Sequence, residues 1–86
     1  MEQLIGFERY DPASGLTLRW EEGFELDVNI DSGEVLLRGN PAGLVSLARH
    51  LLTLAQEGVP SGAHVHLTAG QEVDGEVDLI VERVDD

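Results

Sequence analysis

Cysteine is absent from this 86-residue chain, and so is lysine. Without cysteine there is no disulfide scaffold, no thiolate zinc site and no thiol catalysis. Cations number only five, all arginine, against 17 Asp and Glu, for a formal charge of −12. A balance this acidic argues against nucleic acid or an anionic membrane surface as partner, because both reward basic patches. Long apolar runs are missing too: the longest are three residues, such as Leu79-Ile80-Val81, too short to cross a bilayer. The chain opens Met1-Glu2-Gln3 with no basic stretch and no apolar h-region behind it. The expected compartment is therefore the cytoplasm, in a bacterial-type cell. What is present is 42% apolar residues, enough for a folded chain, and a length that fits a single domain over residues 1–86.

Period-2 alternation marks the strands. Leu4, Ile5, Phe7 and Tyr10 suggest a weak opening strand, followed by an Asp11-Pro12-Ala13-Ser14-Gly15 turn. Leu16, Leu18 and Trp20 alternate with Thr17, Arg19 and Glu21. After Gly23, Phe24, Leu26, Val28 and Ile30 alternate with Glu25, Asp27 and Asn29, and Asp31-Ser32-Gly33 turns the chain into a return strand over residues 34–38. Asn40-Pro41 is a helix start, with Asn as N-cap and Pro preorganised at the first position. Leu44, Leu47, Ala48, Leu51, Leu54 and Ala55 form an apolar stripe that Val45 and Leu52 widen. Ser46, Arg49, His50, Thr53, Gln56 and Glu57 fall on the opposite, outward side, and Gly58 with Pro60 ends the helix. Ala63, Val65 and Leu67 then alternate with His64 and His66, residues 68–75 form a polar loop, and residues 76–84 make a last strand.

The expected fold is α+β: a two-layer sandwich in the order (β)βββαββ. One amphipathic helix covers one face of a mostly antiparallel sheet of five strands, or six if the opening segment joins. The face turned from the helix would carry Arg19, Glu25, Asp27, Asn29, Glu34, Leu36, Arg38, His64, His66, Glu76, Asp78, Ile80 and Glu82. Like charges on adjacent strands cost stability, so carboxylates gathered on one face point to a docking surface for a basic partner. The competing reading is a plain solvated face.

Three local motifs invite a ligand. On a strand, His64-Val65-His66 puts both imidazoles on one face, where zinc, copper or iron could bind if Asp78, Glu76 or Glu82 arrived as third ligand. His50, on the outward side of the helix, would not reach. Asp27 to Arg38 imitates a calcium loop but has Ser32 where an EF-hand needs Gly and Arg38 where it needs Glu. The glycines at Gly39, Gly43, Gly58 and Gly62 form no phosphate-binding fingerprint, and Ser61 has no orienting group that would make it a nucleophile. No cofactor is expected.

Gly39-Asn40-Pro41-Ala42-Gly43-Leu44, Leu47-Ala48, Leu51-Leu52, Leu54-Ala55, His64-Val65-His66-Leu67 and Val77-Asp78-Leu79-Ile80-Val81 together resemble a family. It is the family of predicted immunity proteins numbered thirty-two, from bacterial polymorphic toxin systems. The resemblance runs over residues 24–83 and leaves out the first 23. At Val77-Asp78 the sequence departs from the small polar residue and Glu of the family pattern. The resemblance implies a cytoplasmic, non-enzymatic protein that binds and neutralises a cognate toxin, often a nuclease.

Three functions follow as expectations. The first is an acidic protein-binding module of immunity type, using Glu25, Asp27, Asn29, Arg38, His64, His66, Asp78 and Glu82. The second is a metal-binding protein using His64, His66 and Asp78. The third is a homo-oligomeric structural module, for which a homodimer through an edge strand or the open sheet face would add burial.

Overall fold

The computed structural model describes residues 6, 7 and 9–85. The chain is α+β, and among the described residues it forms one helix and five strands. The strands are β1 (Leu26–Asp31), β2 (Glu34–Gly39), β3 (His64–Leu67), β4 (Asp74–Gly75) and β5 (Leu79–Glu82), and helix α1 (Pro41–Leu54) follows β2.

The clearest alternation in the sequence becomes β1, with Leu26 and Val28 each 2% exposed and Asp27 and Asn29 turned outward. β1 pairs antiparallel with β2, from Leu26 opposite Gly39 to Asp31 opposite Glu34. Ser32 and Gly33 both have positive φ, 51° and 81°, as a two-residue hairpin loop of the tight mirror-image type requires.

The expected single sheet is divided in two, ordered β2-β1-β4 and β3-β5. After β3 the chain turns at residues 68–73 and lays Asp74 and Gly75 parallel to Asp27 and Val28. It then returns to pair β5 antiparallel with β3. The segment expected as a polar loop thus holds a short strand and a core residue, Val73, at 1% exposure. Gly75 permits the approach: a Cβ there would stand 2.2 Å from the Val28 carbonyl oxygen. The core joins Leu26 and Val28 of β1, Leu47 and Leu54 of α1, Val65 and Leu67 of β3, and Val73.

Two expectations concern the front of the chain. Residues 3–5 and 8 of the weak opening strand lie outside the described residues, and residues 6, 7, 9 and 10 form no strand. Leu16, Leu18 and Trp20 do point inward against the core, yet residues 16–20 join no ladder. Alternation reports an extended chain with one buried side. It does not report a hydrogen-bonded neighbour.

Instead the front of the chain runs along α1 as an arm, and the buried side of the helix is turned toward it, keeping Leu47 and Leu54 of the expected stripe in the core. Ser46, Arg49, His50 and Thr53, read as outward, are 0%, 6%, 1% and 1% exposed. The arm supplies hydrogen-bond partners for Ser46 and Arg49 and a ring for His50. Glu21 N–H donates to Ser46 Oγ (2.8 Å), whose hydroxyl donates to the Ala42 carbonyl (2.8 Å). Arg49 donates from Nε to the Gly6 carbonyl (2.6 Å) and from Nη2 to Glu21 Oε1 (2.7 Å). Thr53 Oγ1 donates to the Arg49 carbonyl (2.8 Å). The Trp20 ring stacks on Phe24 with centroids 4.2 Å apart and meets the His50 ring edge-on at 4.3 Å. Both His50 ring nitrogens are buried without a hydrogen-bond partner. Burial, and then Arg49, lower its pKa. On the other side, Leu44, Leu51 and Leu52, expected in the core, are half exposed.

The helix start follows the sequence closely. Asn40 Oδ1 accepts from Gly43 N–H (2.7 Å) as N-cap and also from Glu25 N–H (2.9 Å), while Asn40 Nδ2 donates to the Gly23 carbonyl (2.9 Å). A Cβ on Gly43 would lie 2.1 Å from the Glu25 carbonyl oxygen. The Gly-Asn-x-x-Gly motif is thereby explained as a clamp between the helix start and the entry to β1. At the other end α1 stops at Leu54, short of Gly58. Arg83 Nη1 donates to the carbonyls of Leu54 and Gln56, placing a cation where the helix dipole is negative.

Candidate partner-binding surface

The eight residues expected to meet a partner fall into two groups of four, one on each sheet. Glu25, Asp27, Asn29 and Arg38 lie at the β1–β2 ribbon. Asp27 and Arg38 are cross-strand partners there, with Nη1 to Oδ2 at 4.0 Å. Asn29 Nδ2 donates to both Asp27 oxygens, at 3.0 and 3.1 Å. Parallel pairing puts Asp74 beside Asp27, an unfavourable neighbour that Asn29 and Arg38 offset. Glu25, Asp27, Arg38, Asn40 and Asp74 line an open depression of about 560 Å³. Asp74 was not among the expected residues. It sat in a segment read as loop, and its one sequence signal was the Asp74-Gly75 pair.

The second group is His64, His66, Asp78 and Glu82. β3–β5 pairing sets His64 opposite Glu82 and His66 opposite Ile80, with Val65 and Leu67 facing the core. His66 Nε2 lies 2.8 Å from Asp78 Oδ2, and Asp78 Oδ1 accepts from Ala69 N–H at 2.8 Å. That backbone bond, followed by the His66 bond, lowers the Asp78 pKa. His64 Nδ1 turns to the Gly62 carbonyl at 3.2 Å.

Among the described residues no three His, Cys, Asp or Glu gather as metal ligands. Of Asp78, Glu76 and Glu82, offered as a third ligand for the histidine pair, Asp78 meets His66, while His64 turns to the Gly62 carbonyl. Ala69 N–H and His66 Nε2 each hold one of the Asp78 oxygens in place. Of the wider expected face, Leu36 and Ile80 lie outward opposite Asn29 and His66, and Arg19 belongs to the arm rather than to a sheet. No helix among the described residues is long and apolar enough to cross a membrane.

The arrangement is one of open faces with short polar networks on a small α+β module. The chain belongs to the family described as Immunity protein 32, whose model matches residues 34–84, more than half of the chain. Neither a curated protein nor a solved structure matches it. The matched span runs from β2 to just beyond β5 and leaves out β1 and the arm. Within that family the expected role is to bind a cognate toxin.

Proposed function

We propose that this protein neutralises a basic bacterial toxin, such as a nuclease, in the cytoplasm of the cell that makes both, by covering it and without catalysis. Family membership supports the general role. The observation that carries the specific reading is two sets of outward carboxylates, Glu25, Asp27 and Asp74 beside Arg38 on one sheet and Asp78 and Glu82 at the other, in a chain of charge −12. A nuclease must hold phosphate and so presents a basic groove. Opposite fields speed the encounter, and the networks at Asp27 and Asp78 hold carboxylates ready for arginine or lysine. Asn29, His64 and His66 add further hydrogen-bonding groups beside them.

The test needs a cognate toxin domain, to be sought at the C-terminus of a large secreted protein encoded beside this chain. Its binding is measured by calorimetry and stopped-flow with wild type and with Asp27→Lys, Asp78→Lys and Glu82→Lys combined. The association rate should fall more than about tenfold in the triple variant and should fall with salt in the wild type. Unchanged binding by a folded triple variant would reject the two faces as the docking surface.

A further inference from the structure

The sheet order β2-β1-β4 leaves β2 as an edge strand among the described residues. Natural edges are blunted by lysine, proline, a bulge or a covering segment. β2 has neither lysine nor proline, pairs with β1 in unbroken register, and is exposed along every residue except Gly39. Val35, Leu36 and Leu37 follow one another in it at 67%, 52% and 37% exposure.

The strand reads Glu34-Val35-Leu36-Leu37-Arg38-Gly39, and it is complementary to itself in one register. With Leu36 on a two-fold axis and the strands antiparallel, Leu36 faces its own copy. Glu34 then faces the partner subunit's Arg38, Arg38 faces the partner subunit's Glu34, and Val35 faces the partner subunit's Leu37. Shifting the axis by half a residue sets Arg38 opposite Val35 and leaves both charges unpaired. Only the Leu36-centred register joins opposite charges on the outer face and aliphatics on the inner one.

We propose that β2 pairs with β2 of a second copy, antiparallel and centred on Leu36, so that two three-stranded sheets become one of six strands. Arg38 is available for this: its side chain is 71% exposed and its contact with Asp27 is long, at 4.0 Å. On the inner side, Ile30 lies opposite Val35 next to the hairpin turn, 62% exposed. The half-exposed Leu44 of α1 stands on that same side, against Gly39. Joining the sheets extends this apolar ground across the axis and shields it from water. The −12 charge on each copy opposes association, but at physiological salt that repulsion is screened beyond about 8 Å, while the paired charges lie in contact.

The experiment is sedimentation velocity on the full chain from about 5 to about 200 μM, with Glu34→Arg, Arg38→Glu and the two combined. The wild type should dimerise in that range. Each single reversal turns two cross-strand attractions into two repulsions and should raise the dimer dissociation constant about thirtyfold. The double variant restores opposite charges with the signs exchanged and should return to within about threefold of wild type. A wild type that stays monomeric at the highest concentration overturns the proposal. So does a dimer indifferent to either single reversal, and so does a double variant that recovers nothing while still melting cooperatively. No toxin is needed, so the outcome is separate from the fate of the neutralisation reading.

Discussion

The two sides of α1 reverse the usual pattern. One side is polar in sequence and buried in fact: Ser46, Arg49, His50 and Thr53 lie under the arm. The other is rich in leucine, yet Leu44, Leu51 and Leu52 remain 50%, 43% and 40% exposed. The polar side is tolerable because Ser46, Arg49 and Thr53 each have a partner within 2.8 Å. A buried hydroxyl or guanidinium is costly chiefly when left unpaired. Burial on this helix is therefore decided by what the rest of the chain brings to each face, and hydropathy alone misjudges both.

The largest expected effect comes from breaking the buried side at its charge. Arg49→Ala removes the donor to Gly6 and Glu21 and the stem that fills the space beneath the arm, and should cost about 3 kcal/mol in urea unfolding. Ser46→Ala leaves the buried Glu21–Ser46 link unmade and should cost about 1–2 kcal/mol by the same measurement. A smaller effect should appear with pH. The folded-state pKa of His50 lies below the ordinary value of 6.5, so the unfolded chain takes up that proton first as pH falls. This contribution is fully present above about pH 6.5 and is lost progressively below it. Thermal melts between pH 7 and pH 5 should show a falling Tm whose slope flattens in His50→Phe, where the ring against Trp20 is kept. The open side should respond least: Leu51→Gln should change stability by less than about 0.5 kcal/mol. A loss above 2 kcal/mol would mean that this leucine is covered in solution.

The sequence was most legible where pattern and local chemistry coincide. The β1–β2 hairpin, the Asn40-Pro41 helix start and the His64-Val65-His66-Leu67 strand are all where alternation and capping placed them, and the α+β class follows from them. The alternation also put His64 and His66 on one outward side of their strand. The arm was illegible because Leu16, Leu18 and Trp20 alternate equally well in a ladder or along a helix. β4 was hidden because Asp74-Gly75 reads as a turn, and only the close approach of Gly75 to Val28 shows otherwise. One expected face became two because strand order depends on long-range pairing, and no local pattern encodes it.

The Asn40 clamp has a consequence in time. It ties Gly23, Glu25 and Gly43 through one side chain, all within a stretch of chain that also contains the hairpin. Such short-range closures cost little loop entropy and can form before the arm or the β3–β5 pair. Hairpin, clamp and first helical turn would then make up the folding nucleus, with the arm settling afterwards. In stopped-flow refolding, Asn40→Ala should chiefly slow the folding limb, whereas Arg49→Ala should chiefly quicken unfolding.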